Sequence, residues 1–525
     1  MRRALVLIAP LLLAGCASLP KARTITPSFA LGADTTGETT LGRAAARALA
    51  GLQGPSGVHL MARGPDAFLA RLALVAAAER SLDAQYYIWH GDTTGRLLIS
   101  AVLRAADRGV RVRLLIDDVG SMPKDENLLM LDSHPNVEVR LFNPVASRDR
   151  RKLGMAGDFS RTNRRMHNKS LTADNQLTIV GGRNVGDEYF EASPELDFGD
   201  LDALAVGAVV KDVSDEFDRY WNSPVVYGIT ELRKSRPSPE ESARALASLR
   251  EFERRQEGQA YAQALRDSEL ARELLDGKVE FTAARVTLRA DDPAKVERPG
   301  EDPSKNLLPQ LLPEFAKTRE QLVLVSPYFI PGKKGVEALR RVRERGVGVR
   351  VLTNSLASTD VVPVFAAYRG YRRDLLEAGV ELYEVDPTAT RRGPDAGGTA
   401  PAGGKPGSST RARAALHGKV LVFDCREFFV GSMNLDPRSA FTNTEVGFVV
   451  ESPELTLRLC EGLERAMASG TFRLDLRRDP SGGTGVEFTG RHDGAEVRFT
   501  SEPRSSAWRR FQAWFYGLLP IEPLL

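Results

Sequence analysis

Two of the six histidines in this 525-residue chain are each followed, two positions later, by a lysine. The first pair is His167 and Lys169, and the second is His417 and Lys419. If each pair lies on a strand, both of its side chains project from one face, because successive strand residues alternate. A neutral imidazole supplies a nucleophile or a proton acceptor, and a neighbouring ammonium supplies fixed positive charge. The spacing therefore predicts chemistry on a phosphoryl group.

The residues that follow the second pair indicate how it is positioned. Two apolar runs separated by the letters CRE predict a β-hairpin with Asp424 at its turn. Beyond the hairpin, Asn434 can donate amide hydrogen bonds to phosphate oxygens. Glu445 is a natural partner for the other imidazole nitrogen of His417, where it would fix the tautomer and make the ring a better base.

The first pair is followed by the same residue types at the same spacings. The matching residues are Asp174, Gly181 and Asn184. Gly182 stands where the second copy has Ser432. The acidic counterpart of Glu445 is less direct, because the segment after Asn184 is longer. We predict that it is Asp202, which precedes the apolar strand ALAVGAVV.

The elements upstream of the two motifs also repeat. Apolar, β-branched runs alternate with amphipathic helical patterns in both halves, as in βαβ construction. The corresponding strand segments are 81–89 and 322–331, 108–118 and 345–355, and 136–144 and 379–387. The fold class predicted from this repeat is α/β, with two copies of one unit.

The second copy carries the complete signature H-x-K-x(4)-D-x(6)-G-S-x-N, and on this signature the chain resembles the phospholipase D superfamily from about residue 56 to 470. The resemblance implies two tandem phospholipase D-like α/β/α sandwich domains with pseudo-twofold symmetry and a small C-terminal extension. Both motifs then form one site, in which His167 is the nucleophile and His417 is the general acid and base. Lys169 and Lys419 complete the catalytic pairs.

Other roles also follow from the resemblance. Asp174 and Asp424 are motif residues whose role is more structural than chemical. The predicted phosphate-binding residues are Asn184, Asn434 and Ser432. The resemblance requires no cofactor and no metal, because two lysines and two asparagines already neutralise the phosphate. The remaining four histidines, His59, His90, His134 and His492, are expected to be ordinary core or surface residues.

Composition shifts predict the domain boundaries. We expect a signal peptide at 1–15, an N-terminal linker at 16–55, the first domain at 56–230, a largely helical connection at 231–300, the second domain at 301–470, and a C-terminal hairpin with an amphipathic helix at 471–525. A stretch at 391–414, rich in Gly, Pro and Ala, is predicted to be a mobile loop close to His417.

The first residues of the sequence predict a targeting signal. Basic residues precede a short apolar run and the letters LAGC, which resemble a bacterial lipobox and predict lipidation of Cys16. The alternative is an ordinary signal peptide with an incidental cysteine. With the lipobox, the protein is a membrane-anchored lipoprotein that faces the periplasm; the choice between inner and outer membrane stays open.

The two other cysteines lie in no metal-like spacing. Cys425 and Cys460 are therefore expected to form neither a zinc site nor a disulfide framework, and each can be a small buried apolar residue.

The phosphodiester substrate is not fixed by the motif. Lipidation, the letters YYIW and PYFIP, and the apolar aromatic tail at 506–525 favour a phospholipid. A helix in this tail either rests in a bilayer interface or covers the protein core. The net charge of +3 gives no broad basis for nucleic-acid binding, and none is expected.

Within the superfamily the chain is most similar to bacterial cardiolipin synthases of the C type. That reading implies phosphatidyl transfer from phosphatidylglycerol to a second lipid. The alternatives are a phospholipase D that uses water, a secreted nuclease, and a non-catalytic lipid-binding scaffold. Oligomeric state stays open.

Overall fold

The computed structural model describes residues 18–20, 26–120, 122–233, 237–255, 259, 263, 267–276, 278–388, 412–478, 483–492 and 495–525. The predicted signal peptide, Cys16 and positions 391–411 of the predicted loop lie outside these residues.

The first half alternates strands and helices, as the repeat predicts. Its strands are β1 (Ser56–Met61), β2 (Ser81–Tyr86), β3 (Arg111–Asp117), β4 (Val137–Phe142), β5 (Ser170–Ala173), β6 (Leu177–Gly181), β7 (Leu196–Gly199), β8 (Asp202–Gly207) and β9 (Val226–Gly228). Its helices are α1 (Ala33–Thr36), α2 (Thr40–Ala50), α3 (Gly64–Ala77), α4 (Thr93–Asp107), α5 (Asp125–Asp132), α6 (Arg151–Gly157), α7 (Phe159–Thr162), α8 (Ala208–Trp221) and α9 (Ile229–Leu232).

The rest of the chain follows the same alternation. Its strands are β10 (Thr282–Ala290), β11 (Gln321–Val325), β12 (Gly348–Asn354), β13 (Glu381–Val385), β14 (Arg413–Leu416), β15 (Val420–Phe423), β16 (Glu427–Gly431), β17 (Val446–Glu451), β18 (Thr471–Arg478), β19 (Thr484–His492) and β20 (Ala495–Phe499). Its helices are α10 (Pro239–Arg254), α11 (Glu269–Asp276), α12 (Ala294–Glu297), α13 (Leu307–Lys317), α14 (Gly332–Glu344), α15 (Val362–Arg369), α16 (Arg372–Glu377), α17 (Pro437–Phe441), α18 (Pro453–Gly470) and α19 (Ala507–Gly517).

One strand order occurs twice. In the first half it is β4-β3-β2-β5-β6-β8-β1, and in the second it is β13-β12-β11-β15-β16-β17-β10. In each half the first three strands are parallel and the hairpin strands are antiparallel. The two sheets meet where β1 pairs with β10. The predicted α/β class with tandem repeated units is confirmed.

The hydrophobic core is distributed over both faces of the sheets. Along β8, Leu204 packs into the core on the helical side of the first half, whereas its neighbour Ala203 faces the second half. The inner core combines residues of both halves, including Val420 and Phe448. Because strand side chains alternate between faces, one face of each hairpin packs against helices and the other face packs against the other domain.

Two predicted boundaries are wrong in part. The segment 16–55 is more than a linker, because Leu41 and Ala45 of α2 pack into the first core. The connection at 231–300 contains α10 and α11, but it also contains β10, which pairs with β17 as an integral sheet strand. In both segments the packing partners lie elsewhere in the sequence, so local patterns did not identify them.

The end of the predicted mobile loop is also structured. Arg413 and Ala414 belong to β14, which pairs in parallel with β7 of the first half. Sequence reasoning missed β14, because its partner β7 is remote in sequence and the surrounding segment has a low-complexity composition.

The prediction that no disulfide forms is wrong. Cys425, in the turn between β15 and β16, is bonded to Cys460 of α18, with a Cα–Cα distance of 6.1 Å. The two cysteines are 35 positions apart, and only the packing of α18 brings them together.

At the C-terminus, β18 extends the second sheet beside β13, and β19 and β20 follow it. Helix α19 buries Ala513, while its large apolar side chains remain exposed. Among the residues that the structure describes, no helix is long and apolar enough to cross a bilayer.

Candidate active site

Each motif histidine lies just before the first strand of its hairpin. His167 precedes β5 and His417 precedes β15. Both are buried, as are Lys169 and Lys419, and each lysine ammonium donates to the backbone carbonyl of the histidine two positions before it. The lysine side chains therefore turn back toward the histidines.

Each histidine is held by a carboxylate from the other half of the molecule. Nδ1 of His167 lies 2.8 Å from Oε2 of Glu445, and Nδ1 of His417 lies 2.5 Å from Oδ2 of Asp200. Glu445 was expected beside His417, so the predicted pairing within one copy is wrong. The two motifs therefore build one site in which neither half supplies a complete histidine–carboxylate pair.

Backbone pairing between the halves produces this crossing. Residues immediately before the histidines form parallel pairs with residues immediately before the carboxylates: Met166 with Thr444, and Leu416 with Gly199. In addition, the N–H of His167 donates to the carbonyl of Thr444 at 2.9 Å. The register places each imidazole beside the carboxylate that follows in the facing segment.

Asp202 is not the partner of a histidine, which corrects the prediction. Its carboxylate lies 2.9 Å from Arg71 and 3.4 Å from Arg183, and all three side chains are buried. Strand register explains the difference: Gly181 pairs with Asp202, as Gly431 pairs with Gly447 in the second half. The structural counterpart of Glu445 is therefore two positions earlier, at Asp200.

Sequence reasoning missed Asp200 because the local signal was ambiguous. Asp200 and Asp202 are two positions apart on extended chain, so both fit the same alternation. The choice of Asp202 followed the start of the apolar strand. Only the pairing of β6 with β8 distinguishes the two aspartates.

Gly182 is explained by the same carboxylate. A Cβ atom at position 182 would lie only 2.1 Å from Oδ1 of Asp200. At the equivalent position of the second half, the hydroxyl of Ser432 donates to Glu445 at 2.5 Å and accepts from the N–H of Val446. Ser432 therefore positions Glu445, and its hydroxyl proton is not directed at a substrate phosphate as we had predicted.

Asp174 and Asp424 lie at the far ends of the hairpins. Asp174 accepts hydrogen bonds from the N–H groups of residues 79–81, and Asp424 does the same for residues 319–321. Both adopt positive φ, about 50°. They tie each hairpin turn to the start of the neighbouring strand and take no part in the site.

The two motif asparagines differ. The amide oxygen of Asn184 accepts from the N–H of Ile88, and its nitrogen donates to the hydroxyl of Tyr189 at 2.9 Å. Asn434 is also buried, but its Oδ1 has no hydrogen-bond partner among the described residues. Of the two asparagines, Asn434 is therefore the one whose amide oxygen is left without a donor among the described residues.

A family model described as "Cardiolipin synthase, PLD-like domain" matches residues 72–221 and 311–467, which contain both histidine motifs. The chain belongs to this phospholipase D-like family. The match covers the two repeated halves separately, in agreement with the duplicated strand order.

Individual relatives agree with this assignment. Cardiolipin synthase C of Escherichia coli K12 is 41% identical over 90% of this chain and 97% of its own. An uncharacterized protein of Helicobacter pylori is 32% identical over 77% of this chain and 78% of its own. The crystal structure of phosphatidylserine synthase from Haemophilus influenzae covers 82% of this chain and 92% of its own, with 14% identity and a TM-score of 0.53, and so supports the fold.

The phospholipase D-like site keeps its histidines neutral. Burial lowers the pKa of His167 to about 4, although Glu445 acts in the opposite direction. Burial and Lys419 lower the pKa of His417 to about 3, against the influence of Asp200. Because Nδ1 of each ring is directed at a carboxylate, the lone pair lies on Nε2, and in His417 the ammonium of Lys419 lies 3.4 Å from this nitrogen.

The lysines are affected by the same burial. It lowers the pKa of Lys169 well below its ordinary value and also lowers that of Lys419. Each lysine also lowers the pKa of the histidine in the other half, because the two motifs lie close together. An anionic phosphodiester would stabilise the charged forms of all four groups.

Aromatic side chains surround the two imidazoles unequally. The ring of Tyr87 lies 5.0 Å from that of His167, whereas His417 contacts both Tyr189, at 5.1 Å, and Phe198, at 4.9 Å. His417 therefore packs against more aromatic surface than His167 does.

Three further residues at this site escaped the sequence reasoning. The hydroxyl of Tyr328 donates to Asp360 at 2.7 Å. Asp360 and Asp436 both act to raise the pKa of Lys419, opposing its burial. Tyr328 in the second copy is equivalent to Ile88 in the first. Comparison of the two copies therefore did not predict a polar side chain at this position.

Proposed function

We propose that this protein is a membrane-associated phosphatidyltransferase that makes cardiolipin from phosphatidylglycerol through a phosphohistidine. The observation that carries the proposal is the shared site, in which two neutral histidines are each oriented by a carboxylate of the opposite half. The relationship to cardiolipin synthase C supports a phospholipid as the substrate.

In the proposed first step, Nε2 of His167 attacks phosphorus and forms an N–P bond. The P–O bond to the glycerol headgroup breaks, and His417 gives its proton to the departing oxygen. Glu445 accepts the Nδ1 hydrogen bond of His167 and stabilises the positive charge that develops on the ring. The products of this step are free glycerol and a phosphatidyl-histidine.

In the second step, His417 takes a proton from a hydroxyl of a second phosphatidylglycerol. The hydroxyl oxygen attacks phosphorus, the N–P bond breaks, and neutral His167 is regenerated. Two displacements of this kind retain configuration at phosphorus. Water in place of the lipid hydroxyl would give phosphatidic acid instead.

The lysines would neutralise the phosphate charge during both steps, and the amide nitrogen of Asn434 would donate to a phosphate oxygen. Lys169 belongs to the first copy of the repeat and Lys419 to the second. Both lysines lower the pKa of each histidine. Substrate charge would raise the pKa of His417 from its low value in the free protein, so that Nε2 takes up a proton from solvent on substrate binding and passes this proton to the leaving alcohol.

We also propose that Cys16 is lipidated and that the protein faces the periplasm. The disulfide between Cys425 and Cys460 supports an oxidising compartment, because such bonds rarely persist in the cytosol. Replacing Cys16 with serine should abolish metabolic labelling by fatty acid, and undiminished labelling would remove this part of the proposal.

The central experiment is mass spectrometry of lipids after incubation with phosphatidylglycerol, with and without phosphatidylethanolamine. Cardiolipin together with stoichiometric glycerol is the expected result. The variant carrying both His167→Asn and His417→Asn is the control for contaminating activity.

Other products would identify other functions. Phosphatidic acid alone would indicate hydrolysis, and cleavage of DNA without lipid turnover would indicate a nuclease. Unchanged lipids and DNA would favour a binding scaffold. Each of these outcomes contradicts cardiolipin synthesis.

A further inference from the structure

Helix α19 exposes an apolar face that the fold leaves uncovered. Its large side chains are between 40% and 64% exposed, and they comprise Trp508, Phe511, Trp514 and Phe515 of the helix together with Leu518 and Leu519 just after it. At 100° per residue these positions span an arc of roughly 140°. The rings of Trp508, Phe511 and Trp514 contact one another in sequence, so the face is continuous.

One end of this helix is attached to the His417 side of the site. Arg509 donates to the carbonyls of Leu356 and Thr359, at 2.9 and 2.6 Å. Arg413, four positions before His417, donates to the same Thr359 carbonyl at 3.1 Å. The helix is therefore anchored to the loop that also supports the strand leading into the catalytic histidine.

The tail that follows the helix reaches the His167 side. The backbone N–H of Arg438 donates to the carbonyl of Leu525 at 3.0 Å, and its guanidinium contacts both Leu524 and Asn163. Arg438 belongs to α17, whose Ser439 donates to Glu445, the partner of His167, at 2.7 Å. The C-terminal segment thus connects elements that hold both catalytic histidines.

Further exposed apolar residues lie along this connection. Phe441 at the end of α17 is 72% exposed, and Leu524 is 47% exposed. Phe159 of the first half is 48% exposed and opens α7, which ends beside Asn163. We call these three residues and the six on and after α19 the apolar rim.

Positive charge accompanies the rim. Arg504 and Arg510 are exposed on either side of the start of α19. Arg510 donates to the hydroxyl of Ser505 and the carbonyl of Glu502, both at 2.9 Å, and these neutral acceptors leave its charge unbalanced. Tryptophan and arginine together are the side chains expected at the headgroup level of a bilayer that contains anionic lipid.

From these contacts we propose that the apolar rim rests in the interface of a phospholipid bilayer and directs the mouth of the active site toward the lipid surface. The proposal rests on the proposed function for its substrate, because a lipid that enters from the bilayer need not leave it to reach the histidines. A second copy of the chain or another protein would cover the same residues without inserting them among acyl chains.

The test uses the tryptophans as native probes. The chain has four tryptophans, of which Trp221 is fully buried and Trp89 lies in the first half. Vesicles of phosphatidylglycerol and phosphatidylethanolamine carrying bromine on the acyl chains should quench emission of the full-length protein. The variant Trp508→Phe, Trp514→Phe should keep vesicle binding but lose this quenching.

A second variant tests the energetic contribution. In a background of Cys16→Ser, which removes any acyl anchor, Phe511→Ser with Phe515→Ser should weaken vesicle binding by roughly a hundredfold. Leu457→Ser is the matched control, because Leu457 is 54% exposed on α18 and lies outside the rim. The rim variant should still act on short-chain phosphatidylglycerol below its critical micelle concentration.

The outcomes separate this inference from the proposed function. Absence of quenching, or full vesicle binding by the rim variant, would overturn the membrane assignment. A change from dimer to monomer in that variant, without any change in quenching, would instead assign the rim to self-association and would also overturn it. Quenching that disappears with the tryptophans in a protein that turns over no lipid would support the rim while contradicting cardiolipin synthesis.

Discussion

Nδ1 of His167 lies 2.8 Å from Oε2 of Glu445, a residue 278 positions later in the chain. The reciprocal contact joins His417 to Asp200, 217 positions earlier. Each copy of the repeat thus supplies the carboxylate that contacts the histidine of the other copy. We call this arrangement the carboxylate exchange.

The exchange predicts which variants should behave alike. With an activated phosphodiester that has a good leaving group, His417→Asn and Asp200→Asn should still form a phosphohistidine slowly, since such a group needs little protonation. His167→Asn should form none, and Glu445→Gln should form it far more slowly than the unmodified protein. Trapping with a radiolabelled substrate and peptide mapping measures this, and label on His417 would reverse the assignment of the nucleophile.

The crossing also predicts non-additive losses. Combining His167→Asn with Glu445→Gln should reduce turnover no further than His167→Asn alone, because the two residues act as a unit. Multiplicative losses would show that Glu445 serves a different group.

Asp200 and Asp202 should separate activity from stability. Asp202→Asn leaves Arg71 and Arg183 buried beside a neutral group, and we expect it to cost about 3–5 kcal/mol of unfolding free energy. Asp200→Asn should change unfolding by much less but should remove most turnover. Denaturant unfolding and lipid turnover on both variants provide the measurement, and the opposite pattern would favour Asp202 as the positioning residue.

Gly182 should not tolerate a side chain. The Cβ of Gly182→Ser would lie 2.1 Å from Asp200, so the carboxylate must move away from His417. We expect turnover to fall roughly a hundredfold through this displacement. Gly462→Ala on α18 is the control, because no atom lies within 4 Å of its new methyl group. Normal turnover by Gly182→Ser would show that the carboxylate has freedom to shift.

The buried histidines predict a loss of stability in acid. Their folded pKa values, about 4 for His167 and about 3 for His417, lie below the unfolded value of about 6.5. The unfolded chain therefore binds more protons between these values, so stability falls as the pH drops below 6.5. At pH 5 each histidine should account for about 2 kcal/mol of the loss relative to pH 7.

The histidine variants check this sign. His167→Asn should show a smaller difference in unfolding free energy between pH 7 and pH 5 than the unmodified protein. His90 provides the contrast, since a hydrogen bond to Glu188 raises its pKa and gives it the opposite sign. An unchanged pH dependence in the His167 variant would contradict burial of a neutral imidazole.

The disulfide should stabilise the second half without affecting chemistry. It closes a loop of 35 positions, and its loss in Cys425→Ser should cost about 2–4 kcal/mol. Turnover well below the melting temperature should be unchanged, because the bond lies at the hairpin turn away from His417. Calorimetry of the oxidised, reduced and variant proteins measures the difference, and identical melting would contradict a stabilising bond.

Several features could be predicted from the sequence because their determinants are local. The spacing of His417 and Lys419 next to a predicted hairpin located one pair, which the structure places just before β15, and the recurrence of residue types identifies His167 and Lys169 as the other copy of the motif. The repeated strand and helix patterns specify the α/β class. The resemblance to the phospholipase D superfamily, and not local reasoning, assigned Asp174 and Asp424 mainly structural roles, which their hydrogen bonds at the hairpin turns explain.

Features that depend on long-range packing could not be predicted in this way. Cys425 meets Cys460 only because α18 folds across the hairpin, and β10 is recognised as a strand only through its pairing with β17. The exposed face of α19 was compatible with both core and surface positions until its packing was known. In each case the deciding partner is remote in sequence.

The carboxylates show this division most clearly. The sequence alone shows acidic residues after both motifs. A carboxylate partner was expected among them, because a histidine that reacts with phosphate needs an oriented ring. Tertiary structure alone decided that Glu445 serves His167 and that Asp200, in place of Asp202, serves His417. The physical reason is register: parallel pairing of Met166 with Thr444 and of Leu416 with Gly199 places each imidazole against the other repeat, and that pairing is set by the packing of whole domains.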